Sequence, residues 1–246
     1  MALAAVAFVP GLAVGSFLNV VAARVPSGRS VVHPGSACPS CGASLAWYDN
    51  IPLLSYVLLR GRCRHCQARI SVRYPIVEAT TALLIAGCFL KFGWSADALI
   101  GSLFCAVLVA VSATDLERRV IPNKIVLPAA AIVLVANTLV HPSVEWLVAG
   151  LGASGFLLLA ALAYPAGMGM GDVKLALLLG VALGRTVPVA MAVGMVFALV
   201  PSIVLLIKHG TAARKMGIPF GPFLALGGVV ALFLGNWILD AYLGLL

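Results

Sequence analysis

The hydrophobic positions of this chain fall into long runs, separated by polar or glycine- and proline-rich breaks. They predict eight helices, at about 3–22, 75–92, 97–114, 125–140, 146–163, 173–187, 188–207 and 219–240. Crossing a bilayer takes about 20 mainly apolar residues, and most of these runs have that length. The sixth is the weak one. Val173 to Gly184 is 12 residues, about 18 Å of helix against a hydrocarbon core of about 30 Å. It either runs on through Arg185–Val187 or lies inside the bundle, where neighbours complete the wall. No internal repeat and no linker divides the runs. Residues 1–246 therefore read as a single polytopic membrane domain, with one long polar segment, 23–74, inserted as a loop.

Composition agrees with this reading: 62% of residues are hydrophobic, 10% are charged, and the mean hydropathy is +1.11. These values exclude an ordinary soluble domain. The fold class expected is an all-α polytopic membrane protein of about eight transmembrane helices with a cytoplasmic zinc-binding loop. A net charge of +8 would suit nucleic acid, but in a polytopic chain basic residues first report orientation. The first run has no Lys or Arg before it, which argues against a cleaved signal and for an outward N-terminus. Segments 23–74, 115–124, 164–174 and 208–218 then share one side and hold 14 of the 16 basic residues, leaving Lys91 and Arg185 opposite. The positive-inside rule makes that side cytoplasmic and puts both termini outside. Membrane lipid is an expected partner and nucleic acid is not.

Within the loop stand "CPSC" and "CRHC". Cys38 and Cys41 are separated from Cys63 and Cys66 by 21 residues. Two such knuckles suit a tetrahedral structural zinc with no open position. A disulfide pair is the alternative, disfavoured in a reducing compartment. His65 reads as a solvated loop residue, and Cys88 and Cys105, inside predicted spans, as small packing residues. So short a loop buries little core, and metal binding would supply the folding energy. Its arginines suit lipid headgroups more simply than an acidic partner.

Of the 8 acidic residues, six read as loop or helix-end charges. Asp115 and Asp172 differ. Asp115 ends "LFCAVLVAVSATD", in the last turn of the third span. Asp172 opens the sixth span after Gly167, Gly169 and Gly171 in "GMGMGD". Both sit at the same membrane boundary, where ionisable groups are costly and mark function more often than anchorage. The glycines permit a tight turn and close approach of another backbone. An aspartate at the helix start occupies the place of an anion, so a phosphate cradle is not expected. Two carboxylates in proximity share a proton: one activates water while its protonated partner polarises a peptide carbonyl. The helix dipoles assign Asp172 as the resting base and Asp115 as the resting acid.

At these residues the sequence resembles a type IV prepilin peptidase, a leader peptidase and N-methyltransferase family of GxGD intramembrane aspartic proteases. The resemblance extends through "GSFLNVV" (15–21), "CPSCG" (38–42), "NIPLLSYVLLRGRCRHCQARISVRYPIVE" (50–78), "DLERRVIPN" (115–123), "GMGMGDVKLALLLG" (167–180) and "PFGPFLALGG" (219–228). It implies catalytic roles for Asp115 and Asp172 and cleavage of the basic leader of type IV prepilins or type II secretion pseudopilins, after a glycine and before their hydrophobic helix. It also implies methylation of the new N-terminal residue with S-adenosylmethionine, since the cysteine loop resembles that of bifunctional members. Asn123 stands where many relatives carry Asp. Methylation rests on the resemblance alone. Glu78 and Arg73 beside the loop, Asn19 in the first span and Lys174 beside Asp172 mark a candidate substrate or methyl-donor region. Plain structural readings compete: a Glu78–Arg73 pair, and an interhelical hydrogen bond from Asn19.

The rival class is a proton- or cation-coupled transporter using the same aspartates. Against it stands their position at one face of the membrane, without an inverted repeat. A catalytic zinc is a third reading, disfavoured because four cysteines fill its coordination.

Overall fold

The structure is a computed structural model that describes residues 2–164, 168–210 and 218–244. Gly167, Arg214 and Lys215 lie outside the described residues. The helices are α1 (Ala2–Arg24), the short α2 (Leu54–Leu58), α3 (Arg73–Phe92), α4 (Ala96–Arg118), α5 (Asn123–Val140), α6 (Glu145–Ala163), α7 (Met170–Leu183), α8 (Val187–His209) and α9 (Gly221–Leu243). All eight predicted helices occur, with ends shifted by a few residues. No strand forms among the described residues; pairing is limited to two isolated bridges in the loop, Ala37–Ser44 and Arg62–Arg69. Seven stretches are long and apolar enough to cross a membrane, the sixth of which, Met170–Lys208, holds both α7 and α8. The protein is a multi-pass membrane protein.

The chain forms two compact units, Met1–Ala113 and Thr114–Leu246. The division falls inside α4, where the apolar run is unbroken.

In the first unit α1 packs on α3. Gly11 and Gly15, one helical turn apart, let the two backbones approach: a Cβ on Gly11 would stand 2.8 Å from Ala82 Cα, and one on Gly15 2.6 Å from Glu78 Cα. Small residues at four-residue spacing are the usual route to close packing in lipid, where burial of apolar surface gives no drive. Leu18, Ala22 and Val77 close a core against Ala106, Val109, Ala110 and Ala113 of α4.

In the second unit α7 packs against α5, α6 and α9. Nine of its 14 residues are buried. The sixth span therefore lies inside the bundle. Its extension through Arg185–Val187 does not occur: Gly184, at φ +54°, ends the helix, and a single 3-10 turn, Gly184–Thr186, leads into α8. Glycine tolerates that left-handed value without a Cβ clash. A buried Asn137 on α5 donates its side-chain amide to the Val181 carbonyl at 2.8 Å.

Gly227 of α9 faces the Ala190 carbonyl of α8 so closely that any Cβ would overlap it, whereas Gly152 of α6 has open space around it. Gly227→Val is expected to cost about 3 kcal/mol or more and Gly152→Val little. Thermal unfolding of both variants in detergent checks this; equal losses would refute the packing argument.

Candidate active site and metal centre

Asp115 lies in the last turn of α4. The chain leaves that helix through Arg119, at φ +54°, whose N–H donates to the Asp115 carbonyl at 2.8 Å. This is a left-handed helix end made without glycine. The Asp115 side chain, 5% exposed, accepts the Gly221 N–H on Oδ2 at 3.0 Å. Gly221 opens α9, and a Cβ there would stand 2.8 Å from that same oxygen.

Asp172 is the third residue of α7. Its N–H donates to the Gly169 carbonyl at 3.1 Å, and its Oδ2 accepts the Gly169 N–H at 3.3 Å. This is a capping box in which a backbone carbonyl stands in for the usual cap side chain. Asp172 is 9% exposed, and its carboxyl is near enough to that of Asp115 for their charges to interact.

Both carboxylates thus belong to the second unit, and each has one oxygen held by a backbone amide. Ile121 lies between the two turns. A Cβ on Gly171 would approach Ile121 Cβ to 2.9 Å, and one on Gly221 would approach Ile121 Cδ1 to 3.2 Å. The glycine motif differs here from expectation. Gly169, at φ −87°, and Gly171, inside the helix, adopt no left-handed turn, and Gly171 makes room for a side chain rather than for another backbone. Lys174 Nζ donates to Asn123 Oδ1 at 2.9 Å, a hydrogen bond where Asp at that position would give an ion pair.

The other candidate residues fall in the first unit. Asn19 Nδ2 donates to the Tyr74 carbonyl at 3.2 Å, the interhelical hydrogen bond expected of it. The buried Glu78 accepts the Leu53 N–H on Oε2 at 2.9 Å and hydrogen-bonds with Ser16. Leu53 is held at φ +59°, a strained conformation for leucine. A cavity of about 320 Å³ opens nearby, lined by Ser16, Phe17, Ser36, Asn50 and Pro52 among others. Asn19, Arg73 and Glu78 belong with this unit, whereas Lys174 belongs with the other.

Cys38, Cys41, Cys63 and Cys66 converge, with all four sulfurs within 4.8 Å of one another. The two knuckles are built alike. Cys38 N–H donates to Ala43 O and Gly42 N–H to Cys38 O; Cys63 N–H donates to Ala68 O and Gln67 N–H to Cys63 O. Gly42 and Gln67, each following the second cysteine, both have positive φ.

The thiols are free, and Cys38 Sγ lies 3.8 Å from Cys66 Sγ. That matches the edge of a tetrahedron with zinc–sulfur bonds of about 2.3 Å. Amides of Cys41 and Ser40 bring the Cys38 thiol down to about 6. Cys66 receives the Ala68 amide, yet loss of solvent and the neighbouring thiols push it up to about 11. One thiolate among four sulfurs resists the next until a cation arrives.

Nearby, the Arg64 guanidinium on Asp49, at 2.7 Å, holds that carboxyl below the usual carboxylate range. Between residues 25 and 72 only Cys38, Gly61 and Cys63 are buried, so the loop has no apolar core. The four cysteines fit zinc by number, chemistry and spacing. His65 is exposed, and Cys88 and Cys105 are fully buried in the first unit, their sulfurs 3.9 Å apart.

Sequence reasoning gave no role to Gly221, Ile121, Ser16 or Leu53. The first two stand in the stretches "PFGPF" and "RVIPN" that carry the resemblance, which was the available signal.

Comparison with known proteins identifies two matching families. Residues 9–92 match the Bacterial Peptidase A24 N-terminal domain, and residues 102–205 match the Type IV leader peptidase family. The second range contains both aspartates. Three similar proteins carry the name prepilin leader peptidase/N-methyltransferase. That of Burkholderia pseudomallei (strain 1026b) is 36% identical, covering 94% of this chain and 85% of the relative. That of Bacillus subtilis is 33% identical and covers 96% of each. That of Myxococcus xanthus is 50% identical over a shorter match, 49% of this chain and 36% of the relative. No solved structure matches the chain. The relatives are peptidases and none of these names describes a transporter. The chain belongs to the type IV leader peptidase family.

Proposed function

We propose that this protein is an intramembrane aspartic endopeptidase that removes the leader of type IV prepilins or type II secretion pseudopilins, and then methylates the new N-terminus with S-adenosylmethionine. The observation that carries the reading is the pair of buried carboxylates, Asp115 and Asp172, each with Oδ2 held by a backbone amide. This leaves the second oxygen of each for water and peptide.

One carboxylate takes a proton from water as the water oxygen attacks the scissile carbonyl. The other, protonated, donates to the carbonyl oxygen. Collapse of the tetrahedral intermediate returns that proton and passes one to the leaving amine. Asp172, at a helix N-terminus, acts as the base and Asp115, at a helix C-terminus, as the acid.

The topology is that of a multi-pass protein of the bacterial cytoplasmic membrane, with both termini outside and the aspartates at the cytoplasmic face. The charge asymmetry of the connecting segments supports it.

Methylation is assigned to the first unit, at the cavity beside Glu78. Ser16, Ser36 and Asn50 there offer hydrogen bonds, and Phe17 offers a ring face that suits a sulfonium cation. S-adenosylmethionine supplies the methyl group when bound. Glu78, through Leu53 and Ser16, holds one wall of the cavity in place. Zinc on the four cysteines is structural and takes no part in peptide cleavage.

The test is mass spectrometry of a model prepilin incubated with the protein in lipid, with S-adenosylmethionine. Loss of the leader and gain of one methyl group are expected. A peptide that keeps its leader would overturn the peptidase reading, and a shortened but unmethylated one would overturn the second activity alone.

A further inference from the structure

The loop that carries the cysteines turns apolar residues outward. On α2, Leu54, Val57 and Leu58 are 51%, 70% and 72% exposed. Their i, i+3, i+4 spacing places them on one face of the turn, so this helix presents its apolar stripe away from the protein. Trp47, just upstream, is 80% exposed, and Val72 is 61% exposed.

Basic residues accompany them. Arg60, Arg62 and Arg69 are exposed. Asp49, the one acid between residues 23 and 74, is already engaged by Arg64. Gly61 N–H donates to the Tyr56 carbonyl at 2.8 Å, which folds Arg60 back against the end of α2.

Exposed apolar residues with an aromatic ring and unneutralised arginines match the boundary between acyl chains and anionic headgroups. The loop emerges from α1 and returns into α3, both of which are spans, so a bilayer surface is always within its reach.

We propose that the α2 face of the loop, with Trp47, Leu54, Val57 and Leu58 flanked by Arg60, Arg62 and Arg69, docks onto anionic lipid of the same membrane. The occupant is lipid rather than an acidic protein, because an acidic protein surface would have no need of an apolar stripe at the helix tip. The inference does not depend on the peptidase reading.

The test uses the full chain with zinc bound, in vesicles of phosphatidylcholine alone or mixed equally with phosphatidylglycerol. A variant keeping Trp47 as its only tryptophan (Trp94→Phe, Trp146→Phe, Trp237→Phe) should lose most of its emission when the acyl chains are brominated, and more so with phosphatidylglycerol. Each of Arg60→Gln, Arg62→Gln and Arg69→Gln should lower the docked-to-free ratio about fivefold, since a basic residue near an anionic surface is worth about 1 kcal/mol. The unsubstituted protein gives a second readout: trypsin should cut after Arg60 and Arg62 more slowly in the anionic vesicles. Trp47 emission untouched by brominated lipid, or equal trypsin rates in the two vesicles, would overturn the proposal. So would Trp47 emission that shifts on adding prepilin while ignoring lipid.

Discussion

Replacing Asp172 by Asn is expected to slow leader removal by at least about a thousandfold, within the range a positioned acid or base contributes. Asn keeps the size of the side chain and an oxygen to accept the Gly169 N–H, so α7 retains its first turn. Asp115→Asn should do the same while keeping the hydrogen bond from Gly221. The informative variant is the double substitution. Two groups that act as one machine lose their function together, so the double variant should be no slower than the worse single one. Two independent structural roles would instead compound. Single-turnover cleavage of a model prepilin, with circular dichroism on each variant, separates these outcomes. Unchanged cleavage in either single variant would refute the aspartyl mechanism.

Cys38→Ser or Cys63→Ser is expected to abolish metal binding and release the loop. Elemental analysis should find one zinc per chain in the unsubstituted protein and none in either variant. Trypsin should then cut throughout residues 25–72. The size of the effect follows from how little else orders that segment. It buries two cysteines and one glycine, while a structural zinc contributes about 10–16 kcal/mol of apparent folding energy at pH 7. The spans should survive, because α1 packs on α3 through Gly11 and Gly15 without help from the loop. A protein that holds no zinc yet keeps its loop resistant to trypsin would refute the metal site.

Much of this was legible in the sequence. Apolar runs in lipid have only one economical backbone structure, which is why eight helices could be placed to within a few residues. The aspartates and cysteines stood out because charge and thiol pairs are rare in so apolar a chain. The end of α7 was harder: Leu183, Gly184 and Thr186 continue an apolar run, and only the left-handed value at Gly184 stops the helix. The division into two units leaves no trace in composition, because it falls within α4. The Gly221 amide on Asp115 joins residues 106 apart in the chain, and no local pattern reports so distant a contact. Glu78 likewise reaches Leu53 through the fold of the loop, which depends on backbone angles rather than on side-chain type.

The shortness of α7 has a further consequence. Its far end is level with the start of α6, where the Arg185 N–H meets Glu145 Oε1. The two helices then run side by side, 19 residues against 14. At 1.5 Å per residue, α7 stops about 7 Å short of its neighbour's other end. The Asp172 end is therefore recessed, at the floor of a step in the protein surface. A substrate helix lying in the bilayer meets the carboxylate only if its first peptide bonds descend that step, which costs them their helical hydrogen bonds. The depth of the step acts as a ruler: it selects the bond at which a flexible leader gives way to a rigid apolar helix, and it protects bonds further along that helix from attack.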